Sequence, residues 1–144
     1  MKSRMIVAAL AVAMVFAARS FAEDAAKLEA KCPVSGKAVN PKATVEFEGG
    51  KLLFCCNGCP KAFSKETEKF AAKARHQMLL TGEFEQVHCP ISHKDLKAGT
   101  GLDVAGTNIA FCCNNCRGKV EKMSADEQVA TCFAKGDCFK AVKK

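Results

Sequence analysis

The sequence predicts an α+β fold made of two tandem small modules, each a cysteine turn, a β-hairpin and a helix, after an N-terminal signal peptide. Three observations carry this reading. First, Phe54-Cys55-Cys56-Asn57-Gly58-Cys59 returns as Phe111-Cys112-Cys113-Asn114-Asn115-Cys116. Second, Cys32-Pro33-Val34-Ser35 returns as Cys89-Pro90-Ile91-Ser92, and all four cysteine pairs stand 57 residues apart. That period is one small domain rather than one turn of a solenoid. Third, apolar residues alternate before each cysteine pair, as in strands, and recur at helical spacing after it.

Taken in order, the chain opens on Lys2 and Arg4, an apolar run from Met5 to Ala18, and Ser20-Phe21-Ala22 ahead of Glu23-Asp24. Basic, apolar and small-residue regions in that order predict a signal peptide over 1–22. The apolar run falls short of the roughly 20 residues that a membrane span needs, and no cysteine follows the cleavage point to carry a lipid. The mature protein is expected to be exported, periplasmic or extracellular, without a membrane partner. Modules are expected over 23–82 and 83–144. The formal charge of +7 loses Lys2, Arg4 and Arg19 on cleavage, leaving a mildly basic chain. No basic stripe with interleaved aromatics is present, so nucleic acid is excluded as an expected partner.

Cys32-Pro33-Val34-Ser35-Gly36-Lys37 reads as a turn, with Pro fixing one φ and Gly permitting an unusual one. His93 stands where Gly36 stands, so the second turn is expected to differ. Thr44–Glu48, Gly49-Gly50 and Lys51–Phe54 form a hairpin signal. Shifted by the repeat, Val45, Phe47, Leu52 and Phe54 become Leu102, Val104, Ile109 and Phe111, which marks core positions. Helical sequence follows from Pro60 to Leu80, with Phe63, Phe70, Ala74 and Met78 on one stripe and Ser64 as a candidate cap for a fresh start. In the second copy Arg117–Met123 is helical, and Ser124-Ala125-Asp126-Glu127 is a capping box for another helix. The last residues, 141–144, read as a basic tail prone to fraying.

The chemistry lies in the cysteines. A module of this size buries only about 60% of its unfolded surface, so it needs a staple. In an exported chain the default staple is a disulfide. Cys-Cys-x-x-Cys is, however, a poor spacing for two unstrained bridges and a common ligand texture. Metal ligation would use Cys32, Cys55, Cys56 and Cys59, then Cys89, Cys112, Cys113 and Cys116. The helix N-terminus is expected to favour thiolate at the last cysteine of each set. Adjacent cysteines in extended chain point to opposite faces, so all four reach one ion only if the chain turns there. Four thiolates suit zinc, whereas three suit copper(I) or another soft ion. Cys56-x-x-Cys59 and Cys113-x-x-Cys116 also permit thiol–disulfide exchange, but no parallel-sheet frame for it is visible. Cys132 and Cys138 replace Arg75 and Thr81 of the first copy. They are expected to bridge locally across Lys135-Gly136-Asp137, or else to supply a ligand. His88 and His93 flank Cys89 as candidate ligands, and His76 is expected to face solvent. No catalytic triad, carboxylate pair or phosphate loop is present.

The order of turn, hairpin, cysteine pair and helix resembles a treble-clef-like zinc-finger unit. The chain further resembles the YHS and TRASH domains, small cysteine modules linked to heavy-metal sensing and trafficking. The TRASH pattern is one Cys, about twenty residues, a second Cys, three residues and a third Cys. Cys32, Cys55 and Cys59 match it, as do Cys89, Cys112 and Cys116, and Cys-Pro-Val-Ser-Gly with Phe-Cys-Cys is YHS-like in texture. The resemblance implies a non-enzymatic metal-binding protein with Cys32, Cys55 and Cys59 as the core ligands and Cys56 as a fourth. Zinc is the expected ion, with copper(I) as the alternative.

Overall fold

A computed structural model describes residues 29–143, so the expected signal peptide lies outside the described residues. In chain order the elements are β1 (Asn40–Phe47), β2 (Gly50–Phe54), α1 (Cys59–Lys65), α2 (Thr67–Leu80) and β3 (Phe84–Gln86). There follow β4 (Leu102–Val104), β5 (Thr107–Ile109), α3 (Asn114–Glu121), α4 (Ala125–Cys132), a 3-10 turn (Gly136–Cys138) and β6 (Phe139–Ala141). The fold is mixed α+β, with three two-stranded antiparallel sheets: β1–β2, β3–β6 and β4–β5.

The two hairpins share their register. Val45 pairs with Leu52 and Phe47 with Gly50, while Leu102 pairs with Ile109 and Val104 with Thr107. Both turn through two left-handed residues, Glu48 (φ 48) with Gly49 (φ 84) and Ala105 (φ 51) with Gly106 (φ 84). Two consecutive positive φ values match the right-handed twist of the flanking strands, which is why the turn survives the loss of Glu48 to Ala. Past the cysteine pair the chain forms two helices in each copy. The first break falls at Glu66 (φ −133, ψ 48), without a side-chain cap. Ser64 is not the cap that its position suggests, because its hydroxyl donates back to Pro60 O at 2.9 Å. The capping box of α4 does form, through Ser124 and Glu127.

Phe54, Phe111, Phe133, Leu52, Met78, Ile109, Val104 and Val120 are fully buried, and one continuous apolar cluster takes residues from both copies. Phe63 meets Phe47 and Phe54 edge-on, with centroids 5.2 and 5.6 Å away. Phe133 stacks on Phe139 at 5.2 Å. Strand β3, in the link between the copies, pairs with β6 at the end of the chain. Val142 N donates to Glu83 O at 2.9 Å, so the tail is tied down as far as Val142. His76 does not simply face solvent. It is half-buried edge-on against Phe133, with ring centroids 5.1 Å apart, and its Nε2–H donates to Ala105 O at 3.0 Å. Burial holds its pKa below the usual value, partly offset by the Ala105 and Val104 carbonyls and by Asp103.

Two polar residues of α2 make long-range contacts, Arg75 between the copies and Gln77 within the first. Arg75 holds Glu48 through Nε (2.9 Å) and Nη2, and its Nη1 donates to Phe133 O (3.0 Å) and Ala134 O (2.8 Å). Gln77, 2% exposed, accepts from Leu53 N at 2.8 Å and donates to Leu53 O (2.8 Å) and Lys31 O (2.9 Å). It ties the last turn of α2 to β2 and to the residue before Cys32. Gln77→Leu strands three backbone groups in the interior and is expected to cost about 2–3 kcal/mol in urea unfolding. A loss below about 1 kcal/mol would mean that water replaces the amide.

Candidate metal centres

Each centre begins at a turn. Cys32 N donates to Lys37 O and Gly36 N to Cys32 O, both at 2.8 Å. In the second copy Cys89 N donates to Lys94 O and His93 N to Cys89 O, both at 2.9 Å. The second turn therefore does not differ, contrary to the expectation from His93. His93 takes φ 58 where Gly36 has φ 70, a left-handed conformation that costs an L-residue more than glycine. These turns bury Cys32 and Cys89, at 2% and 0% exposure. The hairpins then deliver Cys55 and Cys112 from the ends of their second strands, and the helix starts deliver Cys59 and Cys116.

The sulfurs of Cys32, Cys55 and Cys59 all lie within 4.8 Å of one another, and so do those of Cys89, Cys112 and Cys116. Cys55–Cys59 is 3.5 Å and Cys112–Cys116 is 3.6 Å, sulfur to sulfur. Zinc–thiolate bonds of about 2.3 Å at a tetrahedral centre put sulfurs about 3.8 Å apart, so either triad can close on an ion with little movement. The fourth cysteines stand outside the triads. Cys56 is exposed with its sulfur 3.6 Å from that of Cys59, and Cys113 is half-buried, 3.6 Å from Cys112. The opposite faces foreseen for adjacent cysteines are therefore not kept: the Cys112 and Cys113 sulfurs are 3.6 Å apart, and those of Cys55 and Cys56 both lie near Cys59.

Ser35 Oγ lies 3.1 Å from Cys55 Sγ, and Ser92 Oγ 3.1 Å from Cys112 Sγ. These serines are not obvious as site residues in the sequence. Their recurrence in register is the signal that would find them. Burial opposes ionisation of Cys32, but hydrogen bonds from Ser35 and from the backbone of Ser35, Cys55 and Val34 win and bring its pKa to about 7. Cys89, in the same environment with Ser92, comes down to about 6. Backbone donors also lower exposed Cys56 and half-buried Cys113. Burial first, then neighbouring thiols, push Cys59 and Cys116 up to about 12. The helix start therefore does not make these the thiolates, as the sequence suggested; the turn cysteines take that role.

A folded pKa lowered from 9.0 adds stability that is complete above the unfolded value and is lost as pH falls through the folded one. For Cys89 that window runs from about 9 down to about 6. In reduced, metal-free protein, far-ultraviolet thiolate absorbance is expected to rise well below pH 9, and Cys89→Ser is expected to delete its most acidic part. An unchanged titration in that variant would show that the turn does not ionise Cys89.

All ten cysteines are free. The bridge expected between Cys132 and Cys138 is not formed, because Cys138 Sγ turns instead toward Cys89 O and His93 Nδ1, each at 3.6 Å. Burial raises Cys132 to about 12 and Cys138 to about 11, so both are neutral thiols. His93 Nδ1 also meets Asp137 Oδ2 at 3.0 Å. His88 lies outside the metal-competent groups, with Nδ1 4.0 Å from Asp95 Oδ1. No helix among the described residues is long and apolar enough to cross a membrane. No protein-family model, no curated protein and no solved structure matches this chain.

Proposed function

We propose that this is an exported, non-enzymatic metal-binding protein of the YHS/TRASH-like kind. Each repeated cysteine site holds one zinc or soft metal ion, copper(I) among them, for structure or for trafficking and sequestration. The supporting observation is the pair of cysteine triads, each drawn from a turn, a strand end and a helix start, repeated at the same positions in both copies. Three sulfurs from separate segments converge, one of them already poised as thiolate, and an ion that displaces the remaining thiol protons satisfies all three at once. Cys56 and Cys113 stand close enough to complete a four-thiolate zinc site after a small turn of the chain, whereas the triads alone suit copper(I).

The test is elemental analysis of the reduced protein beside a thiol count in denaturant. At least two ions per chain are expected, two of them absent from the Cys59→Ser/Cys116→Ser double variant. A chain with neither metal nor free thiols would instead be disulfide-stapled. A second reading rests on Cys56, an exposed thiol of lowered pKa beside the high-pKa thiol of Cys59. That arrangement suits thiol–disulfide exchange. Reduction of insulin disulfides well above a free-thiol control, lost in Cys56→Ser, would favour it.

A further inference from the structure

We infer that His93, Asp137 and Cys138 form a third metal site, of mixed nitrogen, oxygen and sulfur donors, for a borderline divalent cation of the zinc type. One donor atom from each residue lies within 4.8 Å of the other two. Nδ1 of His93 is 3.0 Å from Asp137 Oδ2 and 3.6 Å from Cys138 Sγ, which is 3.8 Å from Asp137 Oδ1. Zinc bonds of about 2.0–2.3 Å to such donors give tetrahedral edges of about 3.3–3.6 Å, close to these separations. The sulfur is buried while the imidazole and carboxylate reach solvent, which leaves a fourth position open to water.

The repeat supplies an independent argument. Shifted by 57 residues, the three donors replace Gly36, Leu80 and Thr81, none of which is a ligand. Three separate departures from the first copy therefore converge on one point of the second. One of them works against the backbone, since His93 keeps the left-handed turn that Gly36 makes without strain. A ring is retained there at a cost in conformational energy, and its Nδ1 faces a carboxylate and a thiol. Carboxylate, imidazole and thiolate together favour zinc-like ions over calcium or magnesium, which take oxygen. On binding, Cys138 gives its thiol proton to solvent and His93 binds as the neutral ring.

The test is native mass spectrometry of the reduced full chain titrated with zinc(II), alongside NMR of the His93 ring. His93→Gly restores the residue that the first copy uses, so the turn is kept while the ligand is lost. Wild type is expected to take one more ion than His93→Gly or Asp137→Asn, and the His93 resonance is expected to move with that ion. The Cys59→Ser/Cys116→Ser variant is expected to keep the His93-dependent ion, which separates this site from the triads. Equal ion counts in wild type and both variants, or a His93 resonance unmoved at saturation, would overturn the inference.

Discussion

Cys59→Ser and Cys116→Ser are each expected to weaken metal binding at their own centre by about 100- to 1,000-fold. Structural zinc sites bind with roughly 10–16 kcal/mol, or about 2.5–4 kcal/mol for each of four ligands. Each substituted sulfur belongs to a triad whose members already lie within 4.8 Å. Cys56→Ser and Cys113→Ser remove sulfurs outside those triads, and about tenfold or less is expected from each. Competition titration with a chromophoric chelator reads both numbers on the full chain. Equal losses at Cys56 and Cys59 would mean that the chain turns on binding and all four sulfurs ligate together.

Arg75→Met is expected to cost about 3 kcal/mol. Removing one partner of a buried ion pair costs roughly 3–5 kcal/mol, and Glu48 keeps a third of its side chain in water, which places this pair at the low end. The substitution also leaves the Phe133 and Ala134 carbonyls without their guanidinium donor. For a chain of this length the midpoint of thermal unfolding should drop by about 10 °C. A drop of only a degree or two would show that the Arg75 contacts do little to hold the copies together. Because neither Arg75 nor Glu48 touches a sulfur, metal affinity at the first centre should change far less than stability does.

Much of this was legible in the sequence because the repeat supplies its own control. Leu52, Phe54, Ile109 and Phe111 keep their chemistry across the shift, and all four are buried. The convergence of Cys32 with Cys55 and Cys59 follows from a hairpin that brings a turn back to a helix start. What escaped were long-range contacts, between the copies and within the second, since spacing along the chain says nothing about them. His76 reads as solvent-facing on its own helix, but Phe133 and Ala105 of the second copy pack against it. Cys132 and Cys138 look like a local pair in one dimension, but Cys138 is drawn to Cys89 and His93 by folding across a long separation. The ionisation order of the thiols also escaped, because it depends on which sulfurs receive donors and which are buried among other sulfurs.

The pairing of β3 with β6 closes the second copy on itself. The first copy leans on its neighbour instead, through Arg75 and His76. Residues 29–82 expressed alone would strip Arg75 of the Phe133 and Ala134 carbonyls and His76 of its Phe133 neighbour, and would be expected to aggregate.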